Sequence, residues 1–407
     1  MTTLDAIEKE VAMSARSPQR QFCIVCCIIL AGFFASGGDI AIPSPYQRPM
    51  RPATVSRPIM PISSYHMLHS FGSGSDGQLP EGDLINVKGT LYGTTASGGA
   101  HGYGTVYSIN KIGKETVLYS FGPFPDGQRP YAGLLIVNGT LYGTTYDGGA
   151  YGFGTIYSIT TNGAETVLHS FGSGSDGANP DGSLLDIKNK LYGITQYGGA
   201  AGFGTVYSIT TAGTERVLYS FGSNGFTPAA GLVNVKGVLY GTTLDGGAYW
   251  DGIVYSITTT GREKLLHSFS GTDGYYPSAT LLNVRGTLYG TTQYGGASGF
   301  GTVYTVTKSG NEAVLYSFGA GYDAENPVAG LINVKGTLYG TTENGGIYGT
   351  VYSITTSGTE TVLHSFTGSP NDGMAPLGGL INVNGMLYGT TNGGGADGRG
   401  TVFALIP

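Results

Sequence analysis

Charge is scarce in this chain. Asp, Glu, Lys and Arg make up 11% of its 407 residues, and the net charge is −6. From residue 65 onward no Lys/Arg cluster occurs, and a phosphate backbone needs concentrated positive charge, so no nucleic-acid partner is expected. Cysteine is rarer still. The three present, Cys23, Cys26 and Cys27, lie together inside "FCIVCCIILAGFF" (22–34). Disulfides and cysteine metal sites are therefore not expected in the rest of the chain. There is no G-x-S-x-G elbow and no H-x-x-x-H or E-x-x-H spacing, which removes the common signatures of hydrolytic serines and helix-borne metal ligands.

The first 64 residues differ from the remainder. Arg16 and Arg20 precede the apolar run, and "ASGG" (35–38) follows it. That order reads as an export signal over 1–38, cleaved or kept as an N-terminal anchor, and such an anchor is the only membrane contact expected. Residues 39–64 form a linker. Its stretch 42–61 holds six prolines, which favour an extended, unpacked chain.

What the sequence has in abundance is glycine, with 72 residues, and tyrosine, with 29. Both recur with a period. An "LYG" core begins at Leu91, Leu141, Leu191, Leu239, Leu288, Leu338 and Leu387, spaced by 50, 50, 48, 49, 50 and 49 residues. Each copy carries the same parts. Two short apolar runs flank a turn at Asn138-Gly139, Lys335-Gly336 or Asn384-Gly385, and the Asn-Gly form marks a tight hairpin because both turn residues need positive φ. A second hairpin turns at Ser357-Gly358 and its equivalents. Every unit thus holds four strands: a ("LINV"), b ("TLYGTT"), c ("GTVYSI") and d ("ETVLYSF").

Four-stranded units repeated about every fifty residues suit a β-propeller. A linear solenoid is the competitor, and the ends choose between them. The repeated region opens with a lone strand d, "MLHSF" (67–71), and stops after strand c, "GTVFAL" (400–405). An open array would leave both edges bare, whereas a ring joins them. The expected fold is all-β: a seven-bladed propeller over 65–407, closed when the N-terminal outer strand completes the last blade.

Two tyrosine rows, Tyr92 and its equivalents and Tyr107 and its equivalents, occur once per blade and read as packing. The glycine after the first row is expected to let neighbouring sheets approach closely. A D-G-x-x-P element, as in Asp76 to Pro80, follows strand d; Asx-turn chemistry explains its Asp, and each loop offers too few oxygens for calcium. His69, His169, His267 and His364 exchange with Tyr119, Tyr219 and Tyr316 at one strand-d position. They read as semi-polar strand residues, with no metal or cofactor expected. "GGAYGFG" (148–154) lies between strands with no helix to present to a phosphate, so it is not a dinucleotide loop.

Chain order places the b–c and d–a connections on one face of the ring, where the blades differ most. The ligand-binding candidates lie there: Tyr146, Asp147, Tyr151, Tyr197, Tyr249, Trp250, Asp251, Tyr294 and Tyr348. Aromatic rings among Asp, Asn and Gln suit sugars or a peptide contact.

The units "LYGTTYDGGAYGFGTIYSI" and "VLYSFG", with "DGxxP" between them, closely resemble the GloVer tandem-repeat proteins, across residues 65–407. The resemblance implies an exported bacterial surface protein of unassigned activity whose members have a choice of anchor; the end at "FALIP", just after a core strand, argues against a C-terminal one. The "GG" after strand b and the Tyr in strand c also resemble kelch repeats, without their strand-d tryptophan. The expected function is non-enzymatic binding or scaffolding through the variable face, with a cell-surface glycan or protein as partner. The alternative is an extracellular hydrolase or lyase acting on glycans or lactones.

Overall fold

The computed structural model describes residues 64–72, 75–172, 175–319 and 323–407. The expected signal (1–38) and nearly all of the expected linker (39–64) lie outside the described residues. The described residues are strands, turns and loops throughout. None forms a helix long and apolar enough to cross a membrane.

Seven antiparallel sheets follow one another along the chain, each in the order a-b-c-d. Strand a spans Ile85–Val87, Leu135–Val137, Leu185–Ile187, Val233–Val235, Leu282–Val284, Ile332–Val334 and Ile381–Val383 in blades 1 to 7. Strand b spans Thr90–Thr95, Thr140–Thr145, Lys190–Gly198, Val238–Asp245, Thr287–Thr292, Thr337–Thr342 and Met386–Thr391. Strand c spans Thr105–Ile109, Thr155–Ile159, Thr205–Thr210, Ile253–Thr258, Thr302–Val306, Thr350–Thr355 and Thr401–Ile406. Strand d spans Glu115–Ser120, Glu165–Ser170, Glu215–Ser220, Glu263–Ser268, Glu312–Ser317 and Glu360–Ser365, and blade 7 takes Ser64–Ser70 from the start of the repeats.

That borrowed strand closes the ring. Ser64 pairs with Ile406 and Ser70 with Thr401, so the two edges that an open array would leave bare are hydrogen-bonded to each other. The propeller expected from the repeat is the fold. Strands a lie innermost and strands d outermost, and strand a of blade 1 lies beside strand a of blade 7.

The a–b hairpins are built as the turn residues require. Asn138 and Gly139 have φ of 50° and 85°, and Lys335 and Gly336 have 53° and 95°, the paired positive values of a tight two-residue turn. In the c–d hairpins the glycine alone is left-handed, as at Gly358 (φ 90°). Each strand d carries a bulge against strand c, as between Val106 and Tyr107, which adds twist to the outer edge.

The core is divided among the seams. Seven apolar clusters each join one blade to the next; Tyr92, Val106 and Phe121 of blade 1, for example, pack on Leu134, Leu141, Tyr157 and Ile159 of blade 2. At the centre of each seam a phenylalanine after strand d meets the strand-c aromatic of the next blade, as in Phe121 and Tyr157 with centroids 5.2 Å apart in a T-shape. Edge-to-face pairs add to the area they bury. Both tyrosine rows are packing, as expected.

One reading needs correction. The glycine of "LYG" does not admit a neighbouring sheet. Gly143 pairs with Tyr157 across strands b and c of the same blade, and a Cβ there would lie 2.4 Å from the Tyr157 hydroxyl oxygen. The missing side chain makes room for that ring to cross its own sheet.

Candidate functional site at the channel mouth

Two positions per blade converge where strands b end and strands a begin. The first follows the Thr-Thr of strand b, or Ile194-Thr195 in blade 3: Tyr146 in blade 2, Gln196 in blade 3, Leu244 in blade 4, Gln293 in blade 5 and Glu343 in blade 6. The second follows the proline of the D-G-x-x-P loop: Glu81, Tyr131, Asp181, Ala229, Ser278, Val328 and Leu377 in blades 1 to 7. The loop proline holds this turn because its ring fixes φ, and the residue after it points towards the axis. All of these except Tyr146 and Glu343, which stand beside it, line a cavity of about 340 Å³ at the mouth of the central channel.

The frame is sevenfold, yet the lining is not. Blades 1 to 3 supply Glu81, Asp83, Tyr131, Asp181 and Gln196, while blades 4, 6 and 7 supply Leu244, Ala229, Val328 and Leu377. A packing device would repeat in every blade; here the carboxyls come from blades 1 and 3 alone, and the opposite arc is mixed, with Ser278, Thr280 and Gln293 of blade 5 between the apolar residues of blades 4 and 6.

Hydrogen bonds run from blade to blade around the rim. Tyr146 Oη donates to Gln196 Oε1 (2.6 Å), Gln293 Nε2 to Glu343 Oε2 (3.3 Å), and Asn392 Nδ2 to Glu81 Oε1 (3.0 Å). Arg129 forms an ion pair with Asp147, and its guanidinium lies 5.8 Å from the Tyr146 ring centre. Tyr131 meets the Tyr146 ring in a T-shape at 5.4 Å.

The carboxyls of the mouth are hard to ionise. Burial, then the charge of Asp181, pushes Glu81 up to about 7, with Glu343 adding to the rise and the Asn392 bond opposing it. Burial pushes Asp181 up to about 6 against the hydrogen bond from Gly182 N–H. Asp83 lies deep in the ring yet opens to the channel; burial raises it, and it accepts from Gly379 N–H of blade 7. Burial raises Glu343 as well. Desolvation thus dominates at each.

The structure separates the nine residues singled out from the sequence. Tyr146 and Asp147 stand at the rim, where Asn179 Nδ2 also donates to the Tyr146 carbonyl (3.0 Å). Tyr294 stacks on Tyr275 with centroids 5.4 Å apart. Tyr197, Tyr151, Tyr249, Trp250 and Tyr348 present exposed rings. Of these Tyr151 and Tyr348 pack beside Gly172 and Gly368, just past the ends of strands d, and so lie away from the axis. Trp250 is left-handed (φ 67°) and touches the Phe226 ring edge-on at 5.6 Å, while Asp251 beside it is buried.

Reasoning from sequence passed over Glu81, Asp83, Tyr131 and Asp181; Gln196, Gln293 and Glu343 stand among the variable positions before the Gly-Gly but were not singled out as binding residues. A signal existed in the pattern P-x-[G/A]-x-L, whose first x differs in every blade and whose second is Gly in four blades but Asp83, Ser183 and Thr280 in the others.

A closed seven-bladed propeller with an asymmetric cavity at its channel mouth is the class that fold and site define. The chain belongs to the Gloeobacter/Verrucomicrobia repeat family, whose model matches residues 53–249 and 222–403. No curated protein sequence matches it. Among solved structures it is similar to a puromycin hydrolase S511A mutant complexed with PGG (13% identity, TM-score 0.53, covering 78% of this chain and 50% of that one). It is also similar to PorZ, an essential bacterial surface component of the type-IX secretion system of Porphyromonas gingivalis (14% identity, TM-score 0.52, covering 82% and 48%). The chain spans about half the length of these two structures, and the likeness is one of fold.

Proposed function

We propose that this protein is an exported binding propeller that takes the end of a glycan into the mouth of its channel. One observation carries the reading: the lining is asymmetric within a symmetric frame, with the carboxyls and the phenol confined to blades 1 to 3 and apolar side chains interspersed with Ser278, Thr280 and Gln293 on the opposite arc. Sugars present both hydroxyls and apolar C–H faces, and pockets of this size fix them with a few placed polar groups. The apolar run 22–34, with small residues after it and a proline-rich stretch before the ring, supports export, and the kelch-like placement of Gly-Gly and tyrosine supports a scaffold that displays loops on one face.

The test is a titration of cell-wall and surface oligosaccharides by calorimetry against the wild-type protein, the isosteric variant Asp181→Asn and the apolar variant Gln196→Leu. A ligand of the mouth should bind at least about fivefold more weakly to either, since losing one hydrogen bond to a buried polar group costs on the order of 1–3 kcal/mol. Unchanged affinity in both variants would place the ligand elsewhere.

A second reading has its own observation. Glu81 is held near 7 next to Asp181, an arrangement that suits one protonated and one ionised carboxyl in acid–base work on a glycan or lactone. Turnover of such a substrate, lost in Glu81→Gln with binding retained, would select the hydrolase or lyase; binding without turnover selects the carrier.

A further inference from the structure

The outer seams between blades carry a second set of polar residues, remote from the channel. At six of the seven seams the strand-d residue before the final serine reaches the aspartate of the following D-G loop; after Tyr219 the loop carries Asn224 instead. Where that residue is tyrosine, its hydroxyl donates to the carboxylate, as Tyr119 does to Asp126 Oδ2 (2.8 Å) and Tyr316 to Asp323 Oδ2 (3.0 Å). Where it is histidine, Nε2 takes the place of the hydroxyl: His169 lies 2.9 Å from Asp176 Oδ2 and His267 lies 2.9 Å from Asp273 Oδ2.

A third group comes from the next blade. Glu215 opens strand d of blade 3 and faces His169 and Asp176; Glu312 opens strand d of blade 5 and faces His267 and Asp273. In both triads the imidazole nitrogen and the two carboxylate oxygens all lie within 4.8 Å of one another. The Oε1 atoms of Glu215 and Glu312, like those of Glu115, Glu165 and Glu360 at the same strand position, are buried without a hydrogen-bond partner, so it is the triad geometry that sets these two seams apart. These ligands come from three segments of two blades, so no spacing along the chain reveals them.

We infer that the seams between blades 2 and 3 and between blades 4 and 5 are binding sites for Zn²⁺ or a similar borderline divalent ion, held by His169, Asp176 and Glu215 and by His267, Asp273 and Glu312. One nitrogen and two carboxylate oxygens are a donor set that zinc accepts, with a fourth position for water; calcium and magnesium need more oxygens than the seam offers. Ligands at zinc distances lie about 3.3 Å apart. His and Asp already approach that spacing, and the remaining adjustment falls to the glutamate at the strand start. The tyrosine seams show that the fold satisfies its aspartates without a metal, so histidine is not required there for the hydrogen bond alone. The seam between blades 6 and 7 is a built-in contrast, because Tyr65 stands where the glutamate would be and stacks flat on His364 at 4.0 Å. An ion at a seam would tie adjacent blades together and resist opening of the ring.

The experiment uses the purified protein stripped with chelator, then titrated with ZnCl₂ by calorimetry and by thermal shift, with MgCl₂ as control. The double variant His169→Tyr/His267→Tyr copies the natural seams at 119 and 316 and is expected to fold with the metal-free melting temperature of the parent. Wild type should take up two equivalents of zinc that this variant does not, with a rise in Tm absent from the variant. The isosteric pair Glu215→Gln/Glu312→Gln repeats the test should the tyrosine variant fail to fold. No uptake, or uptake equal in wild type and variants, overturns the assignment, since zinc held by the mouth carboxyls would survive both.

Discussion

At Gly143 a single absent methyl group decides how a blade packs. The Tyr157 ring crosses strand b at this residue, is fully buried, and then meets Phe121 of the preceding blade. Gly143→Ala is expected to lower stability by about 1–3 kcal/mol through overpacking, read as a fall in the denaturant midpoint; a neutral outcome would mean that the ring has room to move. The glutamates that open strands d make a second prediction at this scale. Burial, then the neighbouring Asp126, raises Glu165 to about 7, and burial with Asp323 does the same for Glu360. Tyr119, Tyr157, Tyr316 and Tyr352 are the other titratable groups at these seams. At these two glutamates the folded state holds protons that the unfolded chain has already released, so their contribution to stability is full below about pH 4.5 and declines as pH rises to about 7. Tm should therefore fall between pH 5 and pH 8, and Glu165→Gln/Glu360→Gln should flatten that slope. A slope of the opposite sign would show that these carboxyls gain, rather than lose, by ionising in the fold.

At the scale of elements, the hairpins and the D-G loop were legible because each is written in local chemistry. Asn138-Gly139 states its own turn, and Asp126 binds Gly127 N–H (2.7 Å), Gly122 N–H (2.6 Å) and the Tyr119 hydroxyl, so one carboxylate fixes the whole connection. The closing strand was legible by counting, from a lone d at one end and a missing d at the other. Its importance is testable. Deleting Ser64–Ser70 exposes the edge of Thr401–Ile406 and strips the contacts of Leu68 with blade 1. The deletion variant is expected to lose cooperative unfolding and to associate on gel filtration; a monodisperse, cooperatively melting product would mean that the ring tolerates a three-stranded blade.

For the whole molecule, symmetry both revealed the fold and hid the site. Sevenfold repetition made the propeller readable, since every blade repeated the evidence of the last. The mouth is assembled from one or two residues per blade, each about fifty positions from the next, so no window of sequence contains it. Tyr146 and Asp147 were found because they sit beside the conspicuous Gly-Gly. Asp181 and Glu81 were not, because the proline before them reads as loop punctuation. Exposed rings such as Tyr249 and Trp250 drew attention instead, being unusual in composition.

That contrast sets the deciding measurement. A crystal structure of the protein soaked with a mixture of cell-surface oligosaccharides would show where a glycan goes. Density among Glu81, Tyr131, Asp181 and Gln196 is the predicted result. Density confined to Tyr249 and Trp250, with the channel mouth unliganded, would contradict it.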